Sequence, residues 1–480
     1  MNRQKKQDGL EMKTDYLYKL RNGDELTLRQ QIMMVFQLSV PAIMAQLSSI
    51  VMQYIDASMV GRLGAVQSAS IGLAASTTWL FGGLCMAMVA GFSVQVAQHI
   101  GAGDEKTARN IMKMGFLIAL GFAVVLGLAG AAISGVLPVW LGGGEDIREG
   151  ASAYFLVYSL AVPFMQLNHI SGGMLQASGN MKLPSMLHIL MCGLDVVFNT
   201  LLIFPTRQVM GITIPGAGLG VTGAALGTAL AQVVVSLTMT YMLLFRSPML
   251  KLRKGEKFCF SKSHFSSCIR ISLPVALQEV VMGGAQVMST TIVSPLGTVS
   301  IAANSFAITA ESLCYMPGYG IGSAAATMIG QSTGAGRKEL TRKLGWLVTL
   351  LGMAVMTVSG ALMYLLAPWM IGLLSTDPEV VELGTTILRI EAFAEPMYAA
   401  SIVASGVFRG AGDTLSTSLF NFGSMWLVRL PLAAFLSRRM GLKGVWIAMC
   451  FELCVRGLLF LIRLAGKAWQ KKSNTKQLQC

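Results

Sequence analysis

Long apolar runs alternate with short polar clusters along the whole chain. Runs such as Gly115–Gly135 and Met186–Phe204 approach the roughly 20 apolar residues that a helix needs to cross a bilayer. An open strand in lipid would leave its backbone groups unpaired, so the pattern predicts helices. Twelve spans follow, over about 32–61, 67–98, 109–137, 150–176, 184–205, 217–245, 266–295, 300–331, 341–373, 383–410, 416–436 and 444–465. Gly and Pro fall inside many of them, as membrane helices tolerate.

Composition agrees. Of 480 residues, 54% are hydrophobic and 12% charged, half the roughly 25% of a soluble domain. A net charge of +14 in a soluble protein would suggest nucleic acid. Here the basic residues gather in the N-terminal tail, the 99–113 loop, Lys182, the 246–270 stretch, the 334–343 loop and the C-terminal tail. The alternate loops are acidic or nearly neutral, with Glu145, Asp146, Asp377, Glu379 and Glu382. That bias predicts a multi-pass protein of the cell (inner) membrane, both termini cytoplasmic, with no nucleic-acid partner. Arg438, Arg439 and Lys443 are the exception, on the outer side. The first thirty residues mix basic residues with Asp8, Glu11, Asp15, Asp24 and Glu25. They lack the apolar core and cleavage site of a signal peptide and read as a cytoplasmic tail. The eight cysteines show no disulfide or zinc spacing, and Cys450 and Cys454 read as buried free thiols.

An internal repeat organises the spans. At one constant offset, Ser39 and Pro41 match Ser272 and Pro274, and Leu63 and Gly64 match Leu296 and Gly297. Gln98, Gly101, Ala102, Gly103 and Arg109 match Gln331, Gly334, Ala335, Gly336 and Arg342. Pro163 matches Pro396, and the stretch Gly173–Asn180 matches Gly406–Asp413. The register then shifts by twelve, so that Gly220 and Gly223 match Gly441 and Gly444. An even number of spans per copy places both copies the same way up, related by a two-fold axis along the membrane normal. The predicted fold is an all-α polytopic membrane protein of twelve helices in two six-helix lobes. Its parts are a tail (1–30), an N-lobe (31–246), a linker (247–264), a C-lobe (265–466) and a second tail (467–480). Two lobes with a cleft between them can rock, which alternating access requires.

Charged side chains within the hydrocarbon cost about 2.5–3.5 kcal/mol on insertion scales and are functional candidates by default. Here they are Asp56, Asp195, Glu279, Glu311, Glu391 and Glu395. Carboxylates outnumber basic residues at these depths, so not all can be ion-paired, and an unpaired one can bind a proton or, alternatively, Na⁺. Asp195 and Asn199 share one face of a helix. Asp56 lies fifteen residues after Pro41, which can kink its helix into a hinge. The alternative role for Asp56 is a cap at the span end. Glu279, whose repeat equivalent is Gln46, either binds an ion or bonds a neighbouring helix. Arg389 and Arg429 are candidates to neutralise some of Glu311, Glu391 and Glu395. Glu452 and Arg456 read as an i,i+4 ion pair. His99 and His169 read as polar packing, and His188, on the face of Asp195, as packing or a proton relay. The substrate-cavity candidates are Glu311, Tyr315, Tyr319, Glu391, Glu395 and Tyr398. Most of the 32 methionines read as apolar filler, with a minority lining the cleft beside these tyrosines and Phe420. There is no P-loop, HExxH or GxSxG motif, so the chain reads as neither an enzyme nor an ATP-driven pump, without cofactor.

The chain resembles the multidrug and toxic compound extrusion (MATE) family. The resemblance rests on the Pro41…Asp56-x4-Gly61-x2-Gly64 stretch, the paired loops at 98–103 and 330–336, and the paired Gly-x-x-[QR]-x-x-Gly motifs. It implies twelve helices in two lobes around a central cavity, and efflux of cationic amphiphiles driven by H⁺ or Na⁺. It implies that Asp56 is the first-helix aspartate and Pro41 the bending proline. It also implies a cation site, possible for Na⁺, at Asp56, Asp195 and Asn199, with Thr228 as a sixth-helix hydroxyl ligand. The fifth-helix pair stands in swapped order here, as Asp195-x3-Asn199. Glu279 matches a seventh-helix glutamate of one branch, while the tenth-helix aspartate of that branch is replaced by Tyr398. The expected function is a monomeric antiporter, working amid membrane lipids, that exports small cationic or amphiphilic molecules. Its rivals are a lipid-linked precursor flippase, which would need a more basic cavity, and a non-transporting receptor or assembly subunit.

Overall fold

The computed structural model describes residues 16–209, 212–253 and 255–471, the side chains of residues 65, 207–214 and 471 excepted; the remainder of both predicted tails lies outside them. A short helix, α1 (Tyr16–Arg21), precedes the first six spans: α2 (Leu28–Gly61), α3 (Ala65–Gly101), α4 (Glu105–Ile133), α5 (Glu145–Ala177), α6 (Lys182–Ile203) and α7 (Gly220–Tyr241). A two-stranded hairpin, β1 (Pro205–Val209) and β2 (Ile212–Ala217), joins α6 to α7. The second set is α8 (Lys262–Val293), α9 (Thr298–Gly334), α10 (Lys338–Gly372), the pair α11 (Pro378–Glu391) and α12 (Glu395–Ala411), the pair α13 (Thr414–Gly423) and α14 (Leu430–Met440), and α15 (Leu442–Ala465).

Local chemistry sets the boundaries. Thr27 and Gln30 close a capping box at the start of α2, satisfying two amides that the first turn leaves unpaired. Asp104 caps α4 through the Thr107 amide. Gly64 and Gly297, equivalent positions of the repeat, turn the chain into α3 and α9 with φ of +115° and +94°, a conformation that side chains disfavour. Among the described residues, ten helices are long and apolar enough to cross a membrane by length and composition alone. Two further predicted spans fall outside that set. The first, α9, carries Glu311. The second is broken at Ala392–Ala394 before Pro396, whose ring removes a donor from the helix ladder. The equivalent Pro163 stays inside an unbroken α5. The span 416–436 is continuous but passes through a π-helical turn at Ser424–Arg429 that joins α13 to α14.

The repeat is visible in the packing. Between the lobes, α2 packs on α9 and α3 on α8, which are equivalent contacts under the repeat, and α3 crosses α9 near the axis. At that crossing Gly101 lies against the backbone of Gln331, and Gly334 against the backbone of Gln98. The amide of Gln98 donates to the Gly410 carbonyl at 3.1 Å, and that of Gln331 to the Ala177 carbonyl at 2.8 Å. Gln98 is the repeat counterpart of Gln331, and Ala177 that of Gly410, so the contact is reciprocal, as a two-fold axis demands. These contacts, with Gly320 against the backbone of Ala42 and Ile43, all lie towards the end of the bundle that carries the basic loops. The lobes are therefore shut at that face.

The linker is tied to the N-lobe there. Arg109 of α4 pairs with Glu256 at 2.7 Å, and Asn110 exchanges two hydrogen bonds with the backbone of Cys259. The hydrogen bonds from Arg109 hold the Glu256 carboxyl below the usual carboxylate range.

A side chain at the crossing has nowhere to go, because a Cβ on Gly334 would overlap the Gln98 carbonyl. Gly334→Val should destabilise this arrangement by about 1–3 kcal/mol, read as a lower melting temperature of the purified protein. An unchanged melting temperature would mean that the crossing is not made.

Candidate functional site

The N-lobe site is built by α2 and α6. Asp195 and Asn199 are one turn apart on α6, and both are buried. One Asn199 amide nitrogen donates to Asp56 Oδ1 at 2.8 Å and to Asp195 Oδ2 at 3.0 Å. Both hydrogens of a neutral amide are thus spent on two carboxylates. Asp195 Oδ1 and Asn199 Oδ1 are buried with no hydrogen-bond partner. The swapped order of Asp195 and Asn199 still delivers both side chains to one face, because spacings of four preserve the face in either direction. Asp56 is bonded across to a second helix rather than to its own helix end.

Two residues at this site carry no sequence signal. Gly227 of α7 faces Asn199 Oδ1 so closely that a Cβ there would overlap it. Tyr154 of α5 stands within electrostatic range of both Asp56 and Asp195. Thr228, next to Gly227, is half-buried and makes no hydrogen bond to the pair among the described residues. His188 has a buried Nδ1 without a partner and His169 lies within electrostatic range of it. Pro41 sits just before the α2 backbone that meets Gly320 of α9, so the expected hinge lies at a contact between lobes.

Glu279 of α8 reaches the other lobe, where a Cβ on Gly83 of α3 would lie 3.0 Å from its Cγ and Oε2. It lies within electrostatic range of Arg409 on α12, whose Nε is buried without a partner. Arg409 was legible only as the counterpart of Gln176 in the paired motif. In the C-lobe, Tyr315 forms ring contacts with Tyr319 at 5.9 Å and with Tyr398 at 5.6 Å. Arg456 lies over the Tyr398 ring at 5.4 Å and pairs with Glu452 at 3.2 Å. Glu311 is 6% exposed and Glu391 and Glu395 are fully enclosed, within the lobe rather than on the cleft surface. Among the described residues neither oxygen of Glu391 reaches a hydrogen-bond partner, while Glu395 lies beside the Cys314 thiol. Arg429 lies within electrostatic range of Glu311 and Glu391. Arg389 instead donates to the Tyr364 carbonyl at 3.2 Å and stacks on its ring, because on α11 it emerges on the opposite side of the helix from the buried Glu391. Among the described residues, no group of three His, Cys, Asp or Glu side chains gathers as a metal site.

Known proteins share this architecture. Probable multidrug resistance protein NorM of Thermotoga maritima is 25% identical over 92% of this chain and 93% of its own. Multidrug resistance protein MdtK of Yersinia pestis is 26% identical over 91% and 95%. Among solved structures, a crystal structure of MATE in complex with MaL6 superposes with a TM-score of 0.85 at 21% identity, over 95% of this chain and 99% of that one. A multidrug resistance MATE family transporter of the MOP superfamily, in an outward-facing conformation, matches with a TM-score of 0.85 at 20% identity, over 92% and 97%. The MatE family model matches residues 41–201 and 274–435, one copy on each lobe. With two thirds of its length in those two matches and the two-lobe helical fold of the solved structures, the chain belongs to the MatE family.

Proposed function

We propose that the protein is a secondary active multidrug efflux transporter that exchanges small cationic or amphiphilic molecules for H⁺ or Na⁺ by rocking its two lobes. One observation carries this reading: a single Asn199 amide shared by Asp56 and Asp195 inside the membrane span. A buried Asp195 and a half-buried Asp56 beside one neutral amide leave negative charge uncompensated in a medium of low dielectric, and that is costly. A cation seated among Asp56 Oδ1, Asp195 and the free Asn199 Oδ1 would compensate it. All of these are oxygen donors, which suit a proton or Na⁺. Asp56 and Asp195 lie on different helices, so a cation between them changes the free energy of a particular α2–α6 arrangement. A ligand shifts an equilibrium only by such a difference between states.

Asp56 also shares α2 with Pro41 and with the backbone that meets α9. Cation binding at one end of this helix can therefore bias the lobe contact at the other. Glu279, crossing from α8 to α3 beside Arg409, is a second place where an ion or cargo charge would be sensed. Proteins named for multidrug resistance match the chain along nearly all of its length, which supports drug-like cargo. By the charge bias of the loops the shut face is the cytoplasmic one.

Two measurements test the proposal. In proteoliposomes, Asp56→Asn should lose at least about tenfold in gradient-driven efflux of a cationic dye, under whichever of H⁺ or Na⁺ drives the wild type. Wild-type flux in the mutant would remove Asp56 from the mechanism. Gly227→Ala touches no charge but pushes a methyl group into Asn199 Oδ1. It should weaken the cation's thermal stabilisation of the purified protein by about tenfold in apparent affinity, and unaltered affinity would show that Asn199 does not hold the ion.

A further inference from the structure

The segment ahead of the first span is seated across both lobes at their shut face. Leu17 and Leu20 of α1 and Leu26 beyond it are buried in a cluster with Met34, Val35 and Leu38 of α2 and the inner ends of α9, α10 and α12. Leu17 also packs against Gly179, in the loop between α5 and α6, so closely that a Cβ there would lie 2.5 Å from its Cδ1. Arg337, in the loop between α9 and α10, donates to the carbonyls of Leu20 at 3.3 Å and Asp24 at 2.6 Å. The Leu20 carbonyl is among the acceptors that the end of α1 leaves without an intrahelical partner, where a cation also suits the helix dipole. Arg21 contacts Met249 Sδ at 2.8 Å, and Met249 in turn accepts from Arg109 through its carbonyl. One short segment thus touches the N-lobe loop, the C-lobe loop and the linker.

From this seat we infer that residues 16–26 are an intramolecular clasp that holds the two lobes together on the cytoplasmic side. The inference rests on the rocking reading above. A six-residue helix is far below the length at which a helix is stable alone, so α1 is held by what it packs on. Those surfaces belong to both lobes. Parting them must strip α1 from one side and expose Leu17 or Leu20 to water, which opposes opening by an amount that scales with the apolar area uncovered. The clasp therefore sets how often the cleft opens to the cytoplasm, without touching the cation site.

The test uses the full chain, with native cysteines replaced and spin labels at Lys106 and Glu339, equivalent positions of the repeat on the inner ends of α4 and α10. The double variant Leu17→Ser, Leu20→Ser should raise the ratio of long to short label separations by about tenfold or more. Arg337→Ala, which leaves the leucine packing whole, should shift it the same way by less, and it stands as the test should the double variant fail to fold. A wild-type distance distribution in folded variants overturns the clasp. Separations that respond to pH or Na⁺ but not to the variants overturn the clasp alone. Separations that respond to neither overturn the rocking reading as well.

Discussion

Inside a bilayer a polar group has no water to fall back on, and the placement of every charge in this protein follows from that constraint. In the N-lobe the constraint is met by one amide: Asn199 spends both hydrogens on Asp56 and Asp195. The arrangement is complete for the amide hydrogens and incomplete for the carboxylates, since Asp195 Oδ1 is left alone. A site that is satisfied in geometry but short of positive charge is what a coupling ion needs. Gly227 gives Asn199 room to sit there, so the bridge depends on a residue with no side chain at all.

The two-fold relation supplies the scaffold, and its violations supply the charges. Glycines that turn the chain, the crossing of α3 on α9 and the paired Gln98 and Gln331 bonds all recur at the same offset. The acids do not. At that offset Asp56 faces Ser289, Glu279 faces Gln46, Glu311 faces Thr78 and Glu391 faces Tyr158. In the N-lobe, Tyr158 donates to the Thr78 carbonyl at 2.8 Å. The same two positions in the C-lobe hold Glu391 and Glu311, which lie within electrostatic range of each other. A neutral hydrogen bond in one lobe has become an acidic cluster in the other, with Arg429 and Arg456 for company. Backbone contacts are indifferent to such replacements, which explains how one architecture carries two different electrostatic interiors.

Much of this was legible in the sequence because lipid imposes a long period. Spans announce themselves by apolar length, and the repeat by glycines and prolines whose backbone roles leave few substitutes. The carboxylates stood out by depth alone. What the sequence hid were the relations that depend on three-dimensional proximity without a charge to mark them. Tyr154 is one aromatic in an apolar span, and Gly227 one glycine among 52. Arg389 looked like a neutraliser of its neighbours in sequence, but helical rotation turns it to Tyr364. The N-terminal tail looked merely polar, because three leucines among charged residues show no span-like run. Their burial is visible only once the lobes provide a floor for them.

These relations converge on α2. It begins at the capping box beside the clasp residues, passes the apolar cluster under α9, carries Pro41 next to its contact with Gly320, and carries Asp56 fifteen residues further on, about 22 Å along the axis. It touches the proposed cation site, the lobe contact and the segment that spans both lobes. A proline in the middle of a helix removes one hydrogen bond and makes that point the place where the helix can kink, with regular turns on either side. Coupling between distant sites needs a two-state element that both of them bias. Under the proposed function α2 is placed for that role by connectivity: Asp56 and the seat of Leu17 and Leu20 lie towards opposite ends of one helix.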